Sequence, residues 1–371
     1  MLSYRHVCAG VSAACTILLG APVAGQTSLQ RFERDLAAMR EQFGIPGMSA
    51  AVAEHGNIIW ARGFGIAHRE RSMPAAADTI YHLASVTKPY TATVVLQLVE
   101  EGRLDLNQPV SEFGISLETI GPGALVWHLL SHTSSGTPGT VFRYDGNPYG
   151  RLTTVVEQVT GRPFSVELTE RIIRHLGLKR TGPNPRRVPG AWPAGVPPDR
   201  TFEQSGLDYR TIDGPLAMGY RRSDQTRSME PMAHPTYLFA SAGLVASAPD
   251  VARFSIALDQ GRLLKPSTLA RAWTPKTLPS GAEIPYGLGW FVQTYEGKKI
   301  VWHFGQGLES SALLLKIPER QLTFVVLANS DGLSEGFRLG DYGDVLRSPF
   351  ARLFLNWVTL PQLVGPREWL E

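Results

Sequence analysis

Ser85 and Lys88 stand three residues apart in Tyr81-His82-Leu83-Ala84-Ser85-Val86-Thr87-Lys88-Pro89, the one Ser-x-x-Lys of the chain. On a helix that spacing puts both side chains on one face, about one turn apart. A serine hydroxyl is a weak nucleophile until a base takes its proton. A lysine amine can be that base only where burial or nearby positive charge lowers its pKa toward neutrality. The spacing fits two readings: acyl transfer through a serine ester, or a solvated Ser and Lys on a helix surface. The strand-like run before the helix favours the first. It sets Ser85 at the helix N-terminus, where a free backbone N–H helps hold an oxyanion. Other chemistries find little support. There is no His-Glu-x-x-His, no Gly-Lys-Ser/Thr phosphate loop and no calcium loop, and Gly63-Phe64-Gly65 lacks the third glycine of a dinucleotide fingerprint. No cofactor and no metal are expected.

The elements that must position this pair follow from hydrophobic periodicity. Leu29, Phe32, Leu36, Met39 and Phe43 fall at helical spacing and predict an amphipathic opening helix, broken by Gly44 and Pro46. Met48 to Ala53 and Ile58 to Ala67 flank His55-Gly56-Asn57 as a hairpin. Ile80 to Ala84 is strand-like, and Thr87 to Glu101 is helical with Gly102 as its stop. Between 103 and 284, helical stretches (Leu152 to Val159, Val166 to Leu176, Val251 to Leu258) alternate with irregular segments. The richest of these is the loop Gly182 to Arg200, with prolines at 185, 189, 193, 197 and 198. Strands return at Gly289 to Tyr295, Lys299 to Phe304, Ser311 to Ile317 and Leu322 to Ala328, and a final helix is expected over Val345 to Val358. The expected fold class is α+β. Residues 26–102 and 285–371 build an antiparallel sheet flanked by terminal helices, and residues 103–284 form a mostly helical inserted domain, with a cleft between the two parts as the natural site.

Composition agrees with a soluble folded chain. Of 371 residues, 43% are hydrophobic and 19% charged, which argues against disordered and fibrous classes. Lys and Arg number 36 against 33 Asp and Glu, a net charge of +3 with no long basic run, so no nucleic-acid partner is expected. Residues 1–25 differ from the rest. Arg5 is their only Lys or Arg, an apolar stretch runs from Val7 to about Gly20, and small residues continue to Gly25. This is the pattern of a secretory signal peptide, with cleavage expected after Gly25 and no stable membrane anchor afterwards. Both cysteines, Cys8 and Cys15, lie inside it, which excludes disulfides, thiol chemistry and Cys-ligated zinc from the mature chain. A periplasmic or secreted location is expected.

Further motifs follow the Ser-x-x-Lys in order. They are Leu129-Leu130-Ser131-His132-Thr133-Ser134-Ser135-Gly136, then Pro138-Gly139 with Phe142 and Tyr144, then Tyr149, Leu152, Thr160-Gly161 and Pro163-Phe164. Ser241-Ala242-Gly243-Leu244-Val245-Ala246-Ser247 with Asp250 and Tyr286-Gly287-Leu288-Gly289-Trp290 complete the series. In order and spacing, over roughly residues 30 to 330, the chain resembles the penicillin-recognising serine hydrolases: class C β-lactamases, D,D-peptidases and family VIII carboxylesterases. The resemblance implies that Ser85 is acylated, that Lys88 is its partner and that Tyr144 shuttles the proton to the leaving group. It also implies that the N–H groups of Ser85 and Gln306 hold the oxyanion.

Two departures stand out. Where the family has Asn two residues after the Tyr, this chain has Gly146, with Asn147 next door. Where β-lactamases have Lys-Thr-Gly, it has His303-Phe304-Gly305. Small Gly305 would let substrate approach the strand, His303 would orient Tyr144 or substrate, and Phe304 cannot hydrogen-bond as a threonine would. His132 reads as a loop-tightening residue. Trp192, Tyr237 and Phe239 read as core packing before pocket lining. The expected protein is a secreted serine hydrolase acting on a small-molecule ester or amide, carboxylic esters first. The alternatives are a D-stereospecific peptidase or amidase, a weak β-lactamase, an acyltransferase, or a non-catalytic wall- or ligand-binding homologue.

Overall fold

Helix α1 (Ser28–Gln42) buries Phe32 and Leu36, the inward positions of the periodic pattern. The structure is a computed structural model that describes residues 28–116, 118–185, 201–223, 225–226 and 228–359. The expected signal segment 1–25, Trp192 and most of the proline-rich loop lie outside these residues. Strand β1 (Gly47–Glu54) turns through His55 and Gly56, both at positive φ, into β2 (Asn57–His68). That pair of left-handed residues is what a two-residue hairpin matching the strand twist requires. After β3 (Met73–Pro74) and β4 (Ile80–His82) comes helix α2 (Thr87–Glu100). The middle of the chain supplies β5 (Thr181–Pro183), β6 (Gly219–Arg222), β7 (Met229–Met232) and β8 (Leu244–Ser247). Four antiparallel strands follow: β9 (Phe291–Tyr295), β10 (Lys298–Gln306), β11 (Ser311–Ile317) and β12 (Leu322–Ala328).

Seven of these strands form one sheet in the order β3-β2-β1-β12-β11-β10-β9. β1, β11 and β12 are buried at every position, which explains why they read as largely apolar runs: both faces are covered. On one face Met48, Ala50 and Val52 pack with Phe32, Phe324 and Phe354 under α1 and the terminal helix Pro349–Thr359. On the other, Ala51, Ala53, Val325 and Leu327 join the core around α2. The helix Ala248–Asp259, part of the stretch 103–284, lies on this second face against β1, β2 and β12. Lys316 of β11 is buried there, 2.7 Å from Asp259.

α2 is enclosed on nearly every side, with residues from Thr87 through Leu96 and Leu98 buried, as its lack of a polar face demands. A second sheet, β4-β8-β5, grips the segment that enters α2. Two expected helices are interrupted. Val166 to Leu176 divides into Phe164–Leu168 and a π-helical turn Thr169–Arg174. Val345 to Val358 divides into a 3₁₀ turn Val345–Arg347 and the helix from Pro349, whose ring cannot sit inside a helix.

Phe32 ties both ends of the chain to the sheet, stacking on Trp357 at 4.7 Å and meeting Trp60 and Phe324 edge-on. Truncating it leaves a cavity under both terminal helices. Phe32→Ala should therefore cost about 3–5 kcal/mol, read as a lowered urea midpoint by tryptophan fluorescence. An unchanged midpoint would show that the helices are held elsewhere.

Candidate active site

The sequence enters the site through a strained turn. Leu83 N–H donates to Leu244 O at 2.9 Å, carrying the β4–β8 pairing one residue further. Ala84 then adopts φ 45°, a left-handed conformation that costs a non-glycine residue about 1–2 kcal/mol. Ser85 sits in the 3₁₀ turn Ala84–Val86 that runs straight into α2. The Thr87 hydroxyl fastens this turn, donating to Ala84 O at 2.7 Å and accepting from Leu244 N–H at 3.2 Å.

Lys88, fully buried in the first turn of α2, reaches back over one turn. Its Nζ lies 2.8 Å from Ser85 Oγ, 3.2 Å from Tyr144 Oη and 3.2 Å from the Ser241 carbonyl oxygen. Among the described residues no carboxylate forms an ion pair with it. Burial lowers its pKa from the usual value near 10.5 to about 7, with the charge of Asp145 opposing that shift. Proton counting then limits the arrangement. The Ser241 carbonyl can only accept, so a neutral amine gives it one N–H and keeps one N–H and one lone pair for two hydroxyls. One hydroxyl must donate to nitrogen and the other accept from it, so a proton can pass between Ser85 and Tyr144 through Lys88.

Tyr144 arrives on the loop before the helical turn Gly146–Gly150, packed against Phe291, Phe304 and His132. Burial raises its phenol well above the ordinary value, and the Ser85 hydroxyl pulls it partly back. His132, at φ 56°, accepts the Asp145 N–H at 3.2 Å through Nδ1 and lays its ring 4.5 Å from that of Tyr144. Burial, Lys88 and His303 hold the His132 imidazole well below its usual range, so it stays neutral and shapes the loop. Tyr149 donates from its hydroxyl to the Lys88 carbonyl at 3.0 Å, fixing the start of α2.

The strand wall separates the remaining candidates. Ser85, Tyr144, Phe304 and Gln306 line one cavity of about 610 Å³. Gly305 faces the nucleophile turn so closely that a Cβ there would stand 2.1 Å from Leu83 O; glycine is required by contact with backbone rather than with substrate. His303 is a correction. It is not among the residues that line the cavity: it is fully buried, its ring lies 6.0 Å from that of Tyr144, Nε2 faces the Tyr286 hydroxyl at 3.0 Å and Nδ1 faces Phe304 O at 2.7 Å. Strand alternation turns it toward the core beside α2 while Phe304 and Gln306 turn to the cavity. Burial, then the Lys88 charge, keeps it uncharged.

Gly146 lies 3.8 Å from Ser241 Cβ, measured from where its own Cβ would be. With Asn147, Arg151, Phe239 and Ser241 it lines a second cavity, also of about 610 Å³. Phe239 is 49% exposed and stacks on Tyr237 at 5.2 Å, so it is pocket lining and not core packing.

Two features leave no trace in the sequence, and a third is a sequence pattern that misleads. The Ser241 carbonyl carries no side-chain signal. Asp331, Glu335 and Asp341 line the first cavity with Arg338, in irregular chain and short turns after β12. Gly332-Leu333-Ser334-Glu335-Gly336 matches Gly-x-Ser-x-Gly, a pattern typical of another hydrolase fold. Ser334 is buried and donates to Gly305 O at 2.8 Å, which gives it a structural post behind the strand.

Comparison with known proteins places the chain in a family. The family model described as Beta-lactamase matches residues 31–346. Esterase EstB of Burkholderia gladioli is 30% identical over 306 residues, covering 68% of this chain and 75% of that protein. D-aminopeptidase of Gluconobacter oxydans is 23% identical over 335 residues, 81% of this chain, which spans only 58% of that protein's length. The octameric penicillin-binding protein homologue from Pyrococcus abyssi superposes with a TM-score of 0.72 at 23% identity, over 89% of this chain and 77% of its own. That likeness establishes the expected α+β fold.

The buried amine gives a direct test. NMR of the chain labelled with ¹⁵N-lysine should show one side-chain amine titrating near 7, about three units below exposed lysines. A midpoint above 9 for every lysine would mean that Lys88 keeps its proton at neutral pH.

Proposed function

Because the chain belongs to the β-lactamase family of serine hydrolases, we propose that it forms an acyl-enzyme on Ser85 and hydrolyses carboxylic esters. One observation carries the assignment: a fully buried Lys88 Nζ stands 2.8 Å from Ser85 Oγ and 3.2 Å from Tyr144 Oη beside a cavity both hydroxyls reach. Neutral Lys88 takes the Ser85 proton as Oγ attacks the ester carbonyl. Tyr144, kept protonated by burial, delivers its proton to the departing alkoxide and recovers one from Lys88. The N–H groups of Ser85 and Gln306 take the oxyanion charge. Water then attacks the acyl-enzyme by the reverse relay and frees Ser85.

The cavity lining supports substrates without a carboxylate. Asp331, Glu335 and Asp341 face one cation, Arg338, whose Nε already donates to Asp341 at 2.7 Å. Burial, then the neighbouring Glu335 charge, raises the Asp331 pKa, with Arg222 and Arg221 opposing it. A β-lactam carboxylate meets this wall and the hydrocarbon of Phe304 in place of a lysine and a threonine. The same wall favours a second reading, an amidase or peptidase for substrates that carry an ammonium group. The first 25 residues support export to the periplasm or beyond.

kcat/KM for a short p-nitrophenyl ester should exceed that for a cephalosporin by at least about a hundredfold, since each lost charge-assisted bond is worth roughly 1.5–3 kcal/mol. D-Alanine p-nitroanilide turned over faster than the ester would favour the second reading. Ser85→Ala, folded, should lose all but a few per cent of turnover and all fluorophosphonate labelling. Lys88→Arg should be nearly inactive, because guanidinium stays protonated. Ester turnover should fall as pH drops through about 7, as Lys88 gains its proton. Cephalosporin hydrolysis beside feeble ester hydrolysis overturns the esterase reading.

A further inference from the structure

Behind the oxyanion strand lies a buried cluster that the acyl-transfer chemistry does not use. His82 on β4, His234 in the irregular segment after β7, and Glu309 in the β10–β11 turn each point a ligand atom inward, all within 4.8 Å of one another. His82 Nδ1 stands 3.5 Å and His234 Nδ1 3.2 Å from the same oxygen, Glu309 Oε1. Ser310 Oγ lies 3.1 Å from both His82 Nδ1 and Glu309 Oε1.

We propose that His82, His234 and Glu309 bind one first-row divalent metal ion, zinc by preference. Two imidazoles and a carboxylate are a ligand set this ion takes. Around a tetrahedral ion with bonds near 2.0–2.1 Å, ligand atoms lie roughly 3.3 Å apart, and four spacings among these four groups already lie at 3.1–3.5 Å. Ser310 Oγ sits at the fourth corner.

The protonation pattern fits as well. His234 Nε2 faces only an acceptor, the Ala217 carbonyl at 3.1 Å, so it carries the proton and leaves Nδ1 as the metal-facing lone pair. Without an ion, three polar atoms crowd one carboxylate oxygen, and a neutral His234 presents it a lone pair rather than a proton. Among the described residues His82 Nε2 has no hydrogen-bond partner, so the polar contacts found for that ring are directed into the cluster. An ion here pins together the strand that leads to Ser85, the turn that follows Gln306, and the segment carrying His234. It is a structural clamp on the two oxyanion donors, independent of what substrate the cleft takes.

Tag-free full-length chain, stripped with a chelator, desalted and titrated with zinc chloride, tests this. Metal analysis after a second desalting should find one zinc per chain, and thermal unfolding should shift upward with zinc and not with magnesium. Glu309→Gln and His234→Gln should each weaken zinc binding by at least the ten- to hundredfold that even outer partners of a metal site are worth. Unfolding on chelation that zinc reverses supports the site. Wild-type protein that keeps native circular dichroism and retains no zinc overturns it, as does zinc retained equally by both variants. Since metal content needs no substrate, a failure here is separable from a failure of the esterase assignment.

Discussion

A primary amine held out of water with no carboxylate against it is the constraint on which this molecule is built. Returned to solvent, Lys88 would keep its proton well above neutral pH and accept nothing from Ser85. The surrounding groups respect that requirement. The side chains around the amine are aromatic or uncharged: Tyr144 and Tyr149 present their rings at 4.9 and 5.5 Å from Nζ, and His132 and His303 are held neutral by burial and by Lys88 itself. Its polar contacts are two hydroxyls and a carbonyl, enough to accept the protons of an ammonium but offering no fixed negative charge to trap it in that form.

Such an amine is useful only if the serine is presented to it without slack, and backbone contacts enforce this. Ala84 is driven into a left-handed turn, Thr87 bonds both sides of that turn, and Gly305 presses strand β10 against Leu83. The strain at Ala84 is offset by the small β4-β8-β5 sheet and by the enclosure of α2. Ser334 adds a bond to Gly305 from the far side. Nucleophile turn and oxyanion strand are thus positioned by peptide groups, which have fewer ways to move than long side chains.

What was legible in the sequence was what short-range physics controls. Ser85 and Lys88 are one helical turn apart, so their meeting is local. β11 and β12 stand where the largely apolar runs of doubly covered strands place them. The orientation of His303 was not legible. It depends on which face of β10 meets α2, and a one-residue change of parity moves a side chain from cavity to core. The Asp331 and Glu335 wall, the Ser241 carbonyl and the grouping of His82, His234 and Glu309 join segments far apart in the chain, and spacing carries no trace of them. The Gly-x-Ser-x-Gly string at 332–336 shows the converse: a pattern match in a context without the strand-to-helix turn that gives the pattern its chemistry.

The order of the large sheet has a consequence for how the chain is made. β1, among the first strands synthesised, pairs with β12, which ends at residue 328, and Phe32 stacks on Trp357. The central sheet therefore cannot close until nearly the whole polypeptide is available, and loop closure over such distances is slow. A chain emerging from the ribosome holds its first hairpin without a partner on one edge for most of its synthesis. The strand that completes the centre of the sheet is thus synthesised among the last, and the order of the strands itself postpones closure of the fold.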